Sequence, residues 1–307
     1  MAMPTVIVIA SEQGEVRRAL TACVTGLGFG VLVAPNVTSS GWPGFTAELA
    51  NCQLALVDLS LEADSDTTDH WLHCLGDMPT LYLDSPLPKA EDQRAHWLRR
   101  IALKLASMLA EVTIPGGVSN DQVWLLMGSA GGPEAVAEFI SALPGQCPVG
   151  FLYGQHINPG FESHLVKTLN GRNGFNARAA KTGARLQRGD IVIAPSDQRL
   201  TILANDALLI EAHPWPGRYH PSLDGIAVEF NRRPRHLGGV IVFSGMGNDG
   251  AAAARLYASK GGTVWTQAPD SCVVNAMPEA VRASGCASYS ATPSELAAKL
   301  AETVGRA

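Results

Sequence analysis

The 307-residue sequence predicts an α/β protein of two doubly wound domains, each built on a parallel sheet. Three observations lead there. Short apolar, β-branched runs alternate with helix-period segments along most of the chain. A long amphipathic stretch, AEDQRAHWLRRIALKLASMLAEV, closes a first series of such runs. A turn-forming stretch, TIPGGVSND (Thr113 to Asp121), then separates that series from a second one. The expected organisation is a first domain over 1–112, a linker over 113–121 and a second domain over 122–307.

In the first domain TVIVIA reads as a buried strand. EVRRALTACVTGLGF follows with Val16, Leu20, Cys23 and Leu27 on one helical stripe, ended by Gly28 and Gly30. VLVA, LALVDL and PTLYL are further strands, and the long amphipathic stretch is one helix. In the second domain VWLLM, VGFLYGQ, DIVIAP, LTILA, ALLIEA, GVIVFS and TVWTQ read as strands. PEAVAEFISAL, FESHLVKTLNG, LDGIAVEFNRR, GAAAARLYASKG and MPEAVRASG read as helices between or after them. TILA-ND-ALLI carries a hairpin signal.

Hydrophobic residues make up 46% of the chain, enough for two cores. A formal net charge of -5 implies no strongly basic surface and argues against nucleic-acid binding. Cys23, Cys52, Cys74, Cys147, Cys272 and Cys286 form no CxxC pair and no zinc-ligand spacing. They read as free, mostly buried thiols of a reducing compartment. The opening MAMPTVIVIASEQGE reads as a strand and not as a signal peptide, and no run is long enough to span a bilayer. The expectation is a soluble cytoplasmic protein without direct membrane insertion. Asp69, His70, His73 and Cys74 have helical spacing and read as a solvated helix edge, so no metal and no other cofactor is expected. Arg232, Arg233 and Arg235 read as a solvated charged face, with a docking patch for a partner as the lesser option.

The stretch WLLMGSAGGPEA, Trp124 to Ala135, joins a strand to a helix through a glycine turn holding Ser129. Three readings stand side by side. The turn needs glycine for backbone reasons alone; or it cradles a phosphate, although it lacks both GxxxxGK[ST] and GxGxxG; or it seats a nucleophile at a helix N-terminus, where free amides favour developing negative charge. It is no α/β-hydrolase elbow, because Met127 stands two residues before the serine. His156, in FLYGQHINPGF, follows the next strand and can meet Ser129 on one rim. Asp249, in VIVFSGMGNDGAAAARL, occupies another strand-to-helix glycine turn, as an N-cap or as the acid that orients a base. Three residues of triad type at three strand ends inform jointly.

GSAGGPEAV, QHINPGF, GDIVIAP, HPSLD, FSGMGNDGA and NAMPEAV occur in the order found in chemotaxis protein-glutamate methylesterases of the CheB type. From Gln122 to Val304 the sequence resembles that family. The resemblance implies a Rossmann-like methylesterase domain with Ser129 as nucleophile, His156 as base and Asp249 as orienting acid. It implies hydrolysis of γ-glutamyl methyl esters, and deamidation of certain glutamines, on the cytoplasmic domain of methylated chemoreceptors. A chemosensory histidine kinase is the second partner it implies. Backbone N–H groups near Ala130 or Met246 are candidates for holding the oxyanion. Gly131, Gly132, Gly245 and Gly247 permit the close backbone approach. The sequence departs from the family at Ala130, where threonine is common, and at His220, where an arginine precedes the PS pair.

Enzymes of this type carry an N-terminal phospho-receiver of flavodoxin-like fold. LALVDLS resembles the receiver's third strand, with Asp58 at the phospho-acceptor position. The paired acids that hold Mg²⁺ in a receiver are reduced here to Glu12, and Asp84, followed by Ser85, stands at the hydroxyl position. No fifth strand with its lysine is evident before the long helix. The first domain therefore reads as a shortened, degenerate receiver in which Asp58 is a vestigial phospho-acceptor. Two other functions remain compatible with the residues: a serine hydrolase acting on another substrate, and a non-catalytic chemosensory adaptor. The joint presence of Ser129, His156 and Asp249 argues against the adaptor.

Overall fold

The computed structural model describes residues 5–10, 14–34, 46–59, 73–83, 86–113, 122–145, 147–203, 206–211, 213–215, 217–233 and 238–305. Glu12, Asp69, His70, Asp84, Ser85, Arg235 and linker residues 114–121 lie outside them. The chain divides into two compact units, Met1–Gly117 and Val118–Ala307.

In the first unit the elements are β1 (Thr5–Ile9), α1 (Glu15–Gly26), β2 (Gly30–Val33), α2 (Thr46–Leu49), β3 (Leu54–Asp58), β4 (Thr80–Leu83) and α3 (Glu91–Thr113). The strands form one parallel sheet in the order β2-β1-β3-β4. Of the expected helical stripe, Leu20 and Leu27 are buried and Val16 and Cys23 half-buried, with Val24 buried beside them; burial pushes the Cys23 thiol up to about 11. Ile7, Ile9, Ala55 and Val57 face one core cluster with Ala34 and Leu49. Asp58 closes β3 and is buried. Among the described residues β4 has no further strand beside it.

The second unit holds β5 (Gln122–Gly128), α4 (Gly132–Ala142), β6 (Val149–Gln155), α5 (Glu162–Leu169), β7 (Asn176–Ala179), β8 (Asp190–Ile193), β9 (Arg199–Ile202), β10 (Leu208–Glu211), α6 (Leu223–Phe230), β11 (Gly239–Val242), α7 (Ala251–Ser259), β12 (Thr263–Gln267), α8 (Ala276–Ala283), β13 (Tyr289–Ala291) and α9 (Pro293–Val304). Seven strands make a parallel sheet ordered β13-β12-β11-β5-β6-β8-β7. β9 and β10 form the expected antiparallel hairpin. β5 is apolar on both faces because both are covered. Trp124 and Leu126 join a cluster with Phe139 of α4, Leu165 of α5 and Leu300 of α9. Val123, Leu125 and Met127 join a second cluster with Ile226 of α6, Ala254 of α7 and Val281 of α8.

The chain leaves β5 toward β6 on one side and returns through β11 on the other. The strand order thus reverses between β5 and β11, and the crevice beyond their carboxyl ends is where an open α/β sheet binds ligands.

The expected runs did not include β7, β13 or α9. The last is started by a capping box in which Thr292 and Glu295 exchange hydrogen bonds. Arg233 corrects the solvated-face reading of its cluster. It is buried and grips Asp206 of the hairpin through Nε at 2.6 Å and Nη2 at 3.2 Å, while Arg232 is exposed and pairs with Glu229. All six cysteines are free, but only Cys52 and Cys147 are buried; the other four are half-buried.

Candidate active site

Ser129 directly follows β5, and its turn opens α4. The turn is pinned from three sides. The Ser129 amide donates to the Ser244 carbonyl at 3.0 Å, and the Gly132 amide donates to the Ser129 carbonyl at 2.9 Å. Gln155 Nε2 donates to the same carbonyl at 2.7 Å. Gly131 caps α4 in the left-handed region at φ 76°, and a Cβ there would fall 2.5 Å from that of Val273. Gly245 is required by closeness: its Cβ would stand 2.9 Å from that of Ser129 and 2.2 Å from Met277 Sδ. Gly132 leaves room for the Gln155 side chain, and Gly247 lies under the Tyr219 hydroxyl.

His156 stands one residue beyond the β5–β6 register pair Gly128 and Gln155, and its amide donates to the Gly128 carbonyl at 3.1 Å. Ser129 and His156 therefore sit side by side at the carboxyl ends of adjacent parallel strands. Asp249 lies in the turn between β11 and α7. Its Oδ2 is 2.8 Å from His156 Nε2. The Leu223 amide donates to Oδ2 at 2.7 Å and the Asp224 amide to Oδ1 at 3.1 Å. Burial alone raises the Asp249 pKa, but the hydrogen bonds from His156, Leu223 and Asp224 outweigh it and hold the carboxyl below its ordinary value. An ionised carboxylate so held fixes an imidazole's orientation. The Ser129 hydroxyl has no hydrogen-bond partner among the described residues. Ala130 and Met246 flank the serine and are exposed, Met246 at 65%; neither amide donates a hydrogen bond among the described residues.

Several residues here had no sequence role. Tyr219 stacks on the His156 ring, with centroids 5.1 Å apart and planes 8° from parallel. Gln155 is buried and bonded at both ends of its amide: Oε1 accepts from the Tyr153 hydroxyl at 2.7 Å, and Nε2 also reaches the His156 carbonyl at 3.3 Å. A polar residue closing the apolar run FLYG was the available signal. Ser244 receives the Val274 amide at 2.9 Å and donates to the Ala130 carbonyl at 2.7 Å, tying the serine turn to the loop after β12. Glu162 fastens the loop after His156 by accepting from the Ser196 and Gly160 amides, each at 2.9 Å. His220 is exposed. No group of three metal-ligand side chains occurs among the described residues, and no helix there is long and apolar enough to cross a membrane.

A family model described as CheB methylesterase matches residues 124–300. The chain is 33% identical over 182 residues to a protein-glutamate methylesterase/protein-glutamine glutaminase of Desulfitobacterium hafniense, covering 58% of this chain and 46% of that one. It is 32% identical over 208 residues to a like-named protein of Pseudoalteromonas translucida, covering 66% and 52%. It thus spans about half the length of the curated relatives it matches. The crystal structure of the Thermotoga maritima CheB methylesterase catalytic domain superposes with a TM-score of 0.55 at 26% identity, covering 60% of this chain and all of that one. The seven-stranded parallel sheet, the strand-end cluster at its reversal point and a match across more than half the residues agree: this chain belongs to the CheB methylesterase family.

Proposed function

We propose that the second unit is a serine esterase that hydrolyses glutamyl methyl esters on the cytoplasmic domain of chemoreceptors. The observation that carries this reading is the ionised Asp249 held against His156 at the strand rim that Ser129 shares. With Nε2 engaged by Asp249, Nδ1 is the imidazole nitrogen available to the serine. Ser129 Oγ attacks the ester carbonyl carbon and its proton passes to His156. The Ala130 and Met246 amides, at the amino end of α4 and in the turn after β11, hold the oxyanion. Collapse expels methoxide, which takes the proton from His156 and leaves as methanol. Water then attacks the γ-glutamyl ester on Ser129, with His156 receiving its proton and returning one to Oγ. Glutamate is released and Asp249 stays ionised throughout. The same steps release ammonia from a receptor glutamine.

The first unit is read as a receiver-like domain. Its parallel order β2-β1-β3-β4 and buried Asp58 at the carboxyl end of β3 support that reading. Asp58 is a vestigial phospho-acceptor, and the unit tunes access or receptor choice without a phospho-switch. The enzyme works in the cytoplasm, in a pathway that includes a chemosensory histidine kinase.

The test is methanol release from methylated receptor. Ser129→Ala and His156→Ala each abolish it while leaving the protein folded, and Asp249→Asn leaves a small residue of turnover. Parental rates in either of the first two overturn the assignment. Mg²⁺ with a small phosphodonor gives neither stable modification of Asp58 nor activation; a phosphorylated Asp58 with a raised esterase rate refutes the reading of the first unit.

A further inference from the structure

α6 and α7 pack side by side, and two aspartates cross between their amino ends. Asp249, just before α7, accepts the Leu223 and Asp224 amides that open α6, at 2.7 and 3.1 Å. Asp224, in the first turn of α6, returns the bond. Its Oδ1 accepts the Ala253 amide of α7 at 2.9 Å. Each carboxylate therefore occupies the amino end of the other's helix, where free amides and the helix dipole favour negative charge. The turn that carries Asp249 is held from both sides by one reciprocal pair.

We propose that Asp224 is a positioning residue for the reaction: it locks the Asp249 turn through the Ala253 amide of α7 and places a second negative charge behind the His156–Asp249 pair. Burial pushes the Asp224 carboxyl up, the Ala253 amide opposes this, and the Asp249 charge beside it adds to the rise. The other charged groups on the neighbouring elements lie elsewhere. Arg255 of α7 is exposed, and Arg199 of β9 pairs with Glu229 near the far end of α6. β5 has no titratable side chain, and Tyr153 of β6 is bonded to Gln155. The Tyr219 ring stacks on His156, with exposed Arg218 over its face. Asp224 is thus linked to the imidazole through Asp249, which its amide and the His156 ring both contact.

The two roles separate by substitution. Asp224→Asn keeps an acceptor oxygen for the Ala253 amide and removes the charge; Asp224→Ala removes both. The readouts on the full chain are the pH profile of kcat/KM with methylated receptor and the NMR titration of the His156 ring. The inference rests on the esterase reading for its catalytic consequence, but the ring titration needs no substrate. In Asp224→Asn the ring titration and the acid limb of the profile move down by about half a pH unit, as expected for one nearby, partly screened charge. kcat falls several-fold with KM unchanged. Asp224→Ala loses kcat further, by about tenfold relative to the asparagine variant. The asparagine variant is isosteric, so the test does not depend on the alanine variant folding. An unmoved titration in Asp224→Asn overturns the proposal, as does an equal loss of kcat in both variants without a pH shift. A shifted titration in a protein whose parent releases no methanol sinks the esterase reading and leaves the Asp224 assignment standing.

Discussion

Gln155→Ala probes how the serine turn is held. Gln155 is 2% exposed, and its side chain connects three groups: the Ser129 carbonyl, the His156 carbonyl and the Tyr153 hydroxyl. The Ser129 carbonyl keeps the Gly132 amide after truncation, so its loss is partial. The Tyr153 hydroxyl, on a side chain with 0% exposure, loses the acceptor seen here. An unsatisfied buried hydroxyl costs about 1–3 kcal/mol. The cavity left by the amide adds about 1 kcal/mol. A total near 2–4 kcal/mol should appear as a lower urea midpoint with unchanged slope for the transition that removes esterase activity. Because one NH₂ group bridges the serine turn and the histidine loop, kcat should fall about tenfold or more. In a Tyr153→Phe background the stability cost of Gln155→Ala should shrink by about 1 kcal/mol, the coupling of the lost bond. Gly132→Ala approaches the same defect from the other side, since its Cβ would lie 2.5 Å from Gln155 Oε1. A Gln155→Ala protein within about 0.5 kcal/mol of the parent and with full kcat would refute this account of the turn.

Two further outcomes concern stability. Arg233→Met strands the Asp206 carboxylate, 5% exposed, and should cost about 3–5 kcal/mol in chemical unfolding; adding Asp206→Asn should recover most of it, and an Arg233→Met protein as stable as the parent would contradict the pairing. Asp249 and Glu162 both sit below the ordinary carboxylate range, so the stability they contribute is full above about pH 4 and is lost as pH falls through their folded values. Asp224 has the opposite sign, since its raised value makes its contribution greatest at low pH and lost as pH rises. Tm measured from pH 6 to pH 3 should therefore fall chiefly below about pH 4, less steeply in Glu162→Gln; the same slope in that variant would mean that Glu162 does not contribute.

The sequence by itself determined most of the alternating elements, the turns that follow β5, β6 and β11, and the residue types placed in them, but not β7, β13 or α9. These are local matters. A strand ends where an apolar run meets glycine, and a helix begins where its first amides need acceptors, so Ser129, His156 and Asp249 were legible as strand-end residues from their own neighbourhoods. Only the tertiary structure decided how they are used. The engagement of His156 Nε2 by Asp249 joins positions 93 apart, the Gln155 bond to Ser129 joins positions 26 apart, and Arg233 reaches Asp206 across 27. Each depends on which strands became neighbours and which helices shared a face. Arg233 looked like part of a solvated run because charge and spacing alone do not reveal that a hairpin carboxylate will close over it. Asp224, to which the sequence assigned no role, is the partner of Asp249 because α6 and α7 bring their amino ends together. Strand order is set by the burial of both faces of the sheet, a property of the whole unit that no local period encodes.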